Sequence, residues 1–171
     1  YYSDWNKWLP IMQAYEARGP SYFGTPAVNL VWALNVSLGQ ILEEGMASRF
    51  ERHRHISQAC KAAISALGLK QVPVRAEVAA DTMTAPYFPE GVDRGVLTQI
   101  RAAGAILAGG LHPEIKTQYF RIGHMGVVSP SDILATIGAV ESGLAQAGYS
   151  FDHGSGLAAA QKALISQGRQ K

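Results

Sequence analysis

Between Met46 and Leu67 the sequence places inward-type residues at steps of four, three, four, three, four and three: Met46, Phe50, His53, Ser57, Cys60, Ile64 and Leu67. That alternation is the period of an α-helix with one buried stripe, and such a stripe must be covered by other elements. Gly68 stops the pattern, as a glycine does just past a helix end. The rest of the chain therefore has to supply a packed layer against this helix.

Upstream, Leu30, Leu34, Leu38, Ile41 and Leu42 recur at helical spacing. Thr25 is the expected N-cap of that helix. Pro26 suits its first position, where a missing N–H costs nothing. The opening "DWNKWLPIMQAYEARGP" is aromatic and apolar, is expected to break at Pro10, and closes on the breaker pair Gly19-Pro20. After Pro73 the period changes. "RAEVAADTMTAPYF" reads as a strand ending at Pro89-Glu90-Gly91, and "VDRGVLTQIRAAGA" as a short helix with Val96, Leu97 and Ile100 inward. "ILAGG" and "QYFRIGHMG" read as two short strands. "SPSDILATIGAVESGLAQAG" carries the clearest helix signals: Ser129 as cap, Pro130 at the first position and Asp132 reciprocating. Its inward residues are Ile133, Ile137, Val140 and Leu144, and Gly148 ends it. "GSGLAAAQKALISQG" reads as a weak helix with a frayed tail. The sum is an α+β domain with helices on one face of a small, mainly antiparallel sheet, preceded by a long connecting helix.

Composition excludes several classes. At 47% hydrophobic and 16% charged the chain is globular, and a net charge of +2 is too small to imply a polyanion partner. No apolar run approaches the ~20 residues of a membrane span. The first residues lack the basic-then-apolar layout of a signal peptide. A first residue of Tyr rather than Met is expected of a processed or partial chain. One cysteine allows no internal disulfide.

Two places could hold an anion. In "PSYFGTPAVNL", Tyr22 and Thr25 lie three apart across a glycine, just before a helix N-terminus. Free N–H groups and the helix dipole favour negative charge there, and two hydroxyls add donors, so a phosphate fits. On spacing alone the commoner reading is a plain turn capped by Thr25. In "YFRIGHMG", Arg121 sits between Phe120 and Ile122, and its fork suits a carboxylate. The commoner alternatives are an exposed edge-strand arginine or an internal ion pair with Asp81 or Glu114. Other features carry less. "RFERHRH", Arg49 to His55, reads as a solvated helix face rather than a nucleic-acid surface. His53, His55, His112, His124 and His153 show no metal spacing. Cys60 reads as a packed thiol, and Gly109-Gly110 as a close backbone approach or a bulge. No catalytic constellation stands out.

From Tyr2 to about Tyr149 the chain resembles the C-terminal portion of alanine–glyoxylate and serine–pyruvate aminotransferases, most closely their fungal members. The likeness runs in one order through "SYFGTPAVNLVWAL", "EEGMASRFERHRHISQACKAAISALGL", "AAGAILAGGLHPEIKTQYFRIGHMG" and "SDILATIGAVESGLAQAGY". These are pyridoxal-phosphate enzymes of the aspartate-aminotransferase fold. The resemblance implies that residues 1–44 end the large cofactor-binding domain and form a connecting helix. It implies that 45–149 are the small C-terminal domain and 150–171 an extension beyond it. It also implies that Tyr22 and Thr25 reach across a dimer interface to the partner's cofactor phosphate, and that Arg121 clamps the substrate α-carboxylate.

The family's Schiff-base lysine and the aspartate facing the pyridine nitrogen lie in a larger N-terminal domain, and none of the six lysines here matches that motif. Lys7 stands too near the turn. Transamination needs that lysine as anchor and proton shuttle. The expectation is thus a C-terminal fragment of an aminotransferase that moves an amino group from alanine or serine to glyoxylate or pyruvate. The isolated chain is expected to hold no pyridoxal phosphate or metal, to be inactive, and to self-associate through Tyr1, Tyr2, Trp5, Trp8 and Trp32. A stand-alone binding or bioactive protein built on the same scaffold is the alternative. The terminus "SQGRQK" is no peroxisomal signal, and cytosol, mitochondrion and peroxisome stay open.

Overall fold

Asp4 starts the first helix by accepting the Asn6 N–H, and α1 spans Trp5–Glu16 in the computed structural model, which describes residues 3–167. Contrary to the break expected at Pro10, α1 runs straight through it. Pro10 and Asn6, whose carbonyl loses its donor, are both exposed, so water replaces the missing bond. Beyond α1, Arg18 takes a left-handed φ of 55° and lets the Gly19 N–H reach the Ala14 carbonyl at 2.7 Å.

The second helix, α2, spans Val28–Glu44 and starts later than expected. Ala27, not Thr25, occupies the cap and no side chain bonds there. Backbone carbonyls close the first turn instead: Val28 N–H bonds to Pro26, and Leu30 and Val31 to Ala27. Thr25 is thereby released from capping. No residue of α2 is buried, and its apolar side chains are exposed on more than one side, with Leu30 at 71%, Trp32 at 72% and Leu42 at 77%.

The chain divides into two units, Tyr1–Gly45 and Met46–Lys171. The second opens with α3 at Met46–Ala66, followed by a 3-10 turn at Ala76–Val78, β1 at Met83–Thr84, α4 at Val96–Ala102 and β2 at Ala108–Gly109. It continues with β3 at Phe120–Gly123, α5 at Pro130–Gln146 and α6 at Ser155–Gln167. The sheet order is β1-β3-β2 and both pairings are antiparallel. Phe120 and Ile122 turn into a core with Ile56, Cys60, Ile64, Ile100, Ile137 and Leu144. Arg121 alternates to the opposite face.

Two expectations change here. Only the second half of the Met46–Leu67 stripe is covered: Ser57, Cys60, Ile64 and Leu67 are buried, whereas Met46 and Phe50 are exposed. The long strand expected over 75–88 shrinks to Met83–Thr84, plus isolated bridges Gln71↔Pro86 and Tyr87↔Tyr119. Pro86 has no N–H to donate, which interrupts the ladder beside β3.

α5 begins as its sequence requires: Ser129 and Asp132 form a capping box with Pro130 at the first position. The Ser129 N–H and hydroxyl bond to the Asp132 carboxylate and hold its pKa below the usual value. α6 is stabilised less visibly. The buried Glu141 of α5 accepts N–H bonds from Gly154 at 2.9 Å, Gly156 at 2.9 Å and Leu157 at 3.1 Å. A carboxylate at a helix N-terminus is favoured by both the free N–H groups and the dipole. A Cβ at Gly156 would lie 2.9 Å from Glu141 Oε1 and 3.0 Å from Leu67 Cγ, so a larger residue there would push the carboxylate off its donors.

One polar chain crosses the core. His124 is 1% exposed, and its Nε2 lies 2.9 Å from Thr84 Oγ1, which stands beside the Cys60 thiol. Among the described residues no hydrogen bond reaches His124 Nδ1. An Nε2–H donating to Thr84, with the Thr84 hydroxyl turned to sulfur, leaves only an acceptor bare, the cheaper deficit. Burial, helped by the nearby Lys61 charge, lowers the His124 pKa to about 4, and burial pushes Cys60 up to about 11.

Candidate functional site

The turn between α1 and α2 is held from behind by α1. Tyr15 Oη donates to the Ser21 carbonyl at 2.6 Å, and the Trp8 and Phe23 rings lie 4.1 Å apart between centroids. This leaves Tyr22 69% exposed, with its hydroxyl 2.8 Å from that of Thr25. The two oxygens form one polar edge just before a helix that has no acidic residue in its first turn. Two convergent hydroxyls beside an uncapped helix start suit the oxygens of a phosphate.

Arg121 occupies the central strand, so it is not an edge residue. Its Nε donates to the Gly109 carbonyl at 2.8 Å. Neither suggested ion pair forms: Asp81 lies 3.6 Å from Lys61 Nζ, and among the described residues no carboxylate reaches Arg121. Among the described residues nothing else bonds to Arg121, a half-buried residue, so its two outer nitrogens could donate the two parallel N–H bonds that a carboxylate accepts.

Around Arg121 the β2–β3 register is informative. Ala108 faces Arg121 and Gly109 faces Phe120. One step on, the Gly110 N–H bonds to the Tyr119 carbonyl at 3.0 Å. A Cβ on Gly110 would lie 2.5 Å from the Tyr119 ring and 2.7 Å from the Lys116 carbonyl. The Gly109-Gly110 pair is thus a close approach. The Tyr119 hydroxyl crosses that gap and accepts N–H bonds from Leu111 at 2.9 Å and His112 at 3.1 Å. Those bonds, His112's first, lower its pKa. Nothing in the sequence reading marked Tyr119. The available signal was the period of two, which sets it on the same face as Arg121.

His53 and its basic neighbours on α3 hold parts of the fold together. His53 donates from Nδ1 to the Arg49 carbonyl at 2.7 Å and accepts the Gly126 N–H at Nε2, so it anchors the segment after β3. Arg52 donates to the Gly126 carbonyl, and Arg54 pairs with Glu51. Among the described residues no group of three His, Cys, Asp or Glu could hold a metal, and no helix is long and apolar enough to cross a membrane.

No family model matches the sequence. Over 131 residues the chain is 39% identical to alanine–glyoxylate aminotransferase 1 of Saccharomyces cerevisiae, covering 75% of this chain and 34% of that protein. Over 162 residues it is 32% identical to serine–glyoxylate aminotransferase of Arabidopsis thaliana, covering 94% and 39%. The structure superposes on ureidoglycine–glyoxylate aminotransferase of Bacillus subtilis with a TM-score of 0.81 at 27% identity, covering 92% of this chain and 41% of that one. The fold is therefore that of an aminotransferase C-terminal domain. The chain is homologous to a C-terminal portion of the alanine–glyoxylate and serine–glyoxylate aminotransferases, and spans a little over a third of their length.

Proposed function

We propose that this chain is the carboxylate-binding C-terminal part of a pyridoxal-phosphate-dependent aminotransferase with alanine or serine as donor and glyoxylate or pyruvate as acceptor. Arg121 carries the reading. A half-buried arginine on a central strand, with Nε engaged by Gly109 and no acid at its outer nitrogens, is built to receive a carboxylate supplied from outside the chain. Two charge-assisted hydrogen bonds of this kind contribute roughly 1.5–3 kcal/mol each.

Tyr22 and Thr25 fit a phosphate edge, and in this reading they serve the cofactor of a partner subunit in a dimer. The cofactor, when bound, supplies the electron sink for amino-group transfer. This chain's residues bind and orient. Arg121 fixes the carboxylate end of the amino or keto acid, and the Tyr22–Thr25 edge donates hydrogen bonds to phosphate oxygens. None of its lysines sits in the sequence context of the family's cofactor-anchoring lysine. On its own the 171-residue polypeptide binds carboxylates weakly and does not transaminate.

The test uses the isotopically labelled polypeptide. Addition of pyruvate shifts the Arg121 side-chain N–H signals and the backbone amides of Ala108 and Gly109 beside them, and in Arg121→Gln, which lacks the guanidinium, the same amides stay unmoved. Absence of any shift refutes the carboxylate reading, and pyruvate production from alanine and glyoxylate with added pyridoxal phosphate refutes the inactivity.

A further inference from the structure

Arg121 can act as a clamp only if its fork is aimed before the ligand arrives, because an arginine that must first be ordered loses much of its binding energy to entropy. Its single anchor is the Gly109 carbonyl, on a strand of two residues at the sheet edge. So short an edge strand cannot by itself fix one carbonyl, and something beyond the ladder has to hold that backbone.

Tyr119 is the group in position to do so. It lies two residues before Arg121, opposite Gly110, and the two side chains leave the sheet on the same face. Arg121 reaches sideways across β2 to Gly109, and Tyr119 reaches across it to the amides of Leu111 and His112. The contact exists because residue 110 has no side chain; any Cβ there would occupy the space of the Tyr119 ring. The ring is itself held, 6.4 Å from Tyr87 in an edge-on contact, and the residue is 6% exposed. The backbone just after Gly109 is thus tied at Gly110 by the Tyr119 carbonyl and at Leu111 and His112 by a phenol oxygen that accepts both N–H groups.

We propose that Tyr119 is the positioning residue of Arg121, its hydroxyl fixing residues 110–112 across the bare Gly110 so that the Gly109 carbonyl holds the guanidinium as a preset fork. The inference rests on the reading of Arg121 as a carboxylate clamp and assigns a second residue to that site.

The experiment follows the Arg121 Nε–H signal of the full 171-residue polypeptide, assigned by its loss in Arg121→Lys. Tyr119→Phe keeps the ring over Gly110 and removes only the oxygen. In the wild type the Nε–H and the amides of Leu111 and His112 exchange slowly. In Tyr119→Phe the Nε–H exchanges about tenfold faster or more, and pyruvate binding at Arg121 weakens by about the same factor. The amides of Ile122 and Ile137 stay protected, which separates positioning from unfolding. Unchanged Nε–H protection and pyruvate binding in Tyr119→Phe overturn the proposal. So do Leu111 and His112 amides that exchange as free groups in the wild type, a result that needs no variant. If the Nε–H is protected and loses protection in Tyr119→Phe while pyruvate moves nothing in either protein, the positioning stands and the carboxylate reading fails.

Discussion

Lowering the pH is expected to destabilise the second unit through one buried imidazole. His124 lies in the core against Thr84, with Nδ1 unpaired and Lys61 close enough to oppose a positive charge, a repulsion that Asp81 only partly offsets. Its pKa falls from 6.5 in the unfolded chain to about 4 in the folded one. The folded state thus refuses a proton that the unfolded state binds between those values, and stability rises with pH through that window. The contribution is complete above pH 6.5, and is lost as pH falls from 6.5 to about 4. At about 1.4 kcal/mol per unit the full difference is roughly 3 kcal/mol, of which about 2 kcal/mol is gone by pH 5. The assay is urea unfolding at pH 7.5, 6 and 5, read on the backbone signals of Ile122 and Val140. Tryptophan emission is unsuitable, because Trp5, Trp8 and Trp32 all lie in the first unit. In His124→Gln the titrating group is absent, so the difference between wild type and variant should shrink by about 2 kcal/mol from pH 7.5 to pH 5. Parallel pH curves for the two proteins would refute the reasoning.

Two further predictions concern the rest of the molecule. Glu141→Ala leaves three N–H groups at the start of α6 without their acceptor. The second unit should lose about 2–4 kcal/mol in urea unfolding, with Glu141→Gln intermediate because it keeps one acceptor oxygen. The exposed apolar side chains of α2, Leu30, Trp32 and Leu42 among them, should drive self-association of the isolated polypeptide, seen as mass rising with concentration in sedimentation equilibrium and reduced by Trp32→Glu. Trp5 is also exposed, Trp8 is half-buried against Phe23, and Tyr1 and Tyr2 lie outside the described residues.

The parts of the fold legible in the sequence are those whose signals are local. Ser129, Pro130 and Asp132 set the start of α5 within one turn, and Ile133, Ile137, Val140 and Leu144 name its buried side. The long strand expected before Pro89 misled because its length depends on a partner: β3 is four residues long, and Pro86 cannot continue the ladder. Thr25 misled for the opposite reason. It has the right chemistry for a cap, but its neighbour Tyr22 competes for the hydroxyl, and the first N–H groups of α2 bond instead to the Pro26 and Ala27 carbonyls. Arg121 was visible as an odd charge among apolar neighbours. Its anchor at Gly109 and the reach of Tyr119 over Gly110 depend on strand register, which no local pattern specifies. Glu141 was invisible for the same reason, since its three donors come from a helix about fifteen residues downstream.

Cys60 has a practical consequence. It is the chain's single sulfhydryl, it is wholly shielded, and its thiolate is disfavoured by its surroundings. Electrophiles therefore meet it only when the second unit opens, so each alkylated molecule records one opening event. The protein carries an internal clock for its own fluctuations, readable by mass alone once an alkylating reagent is supplied.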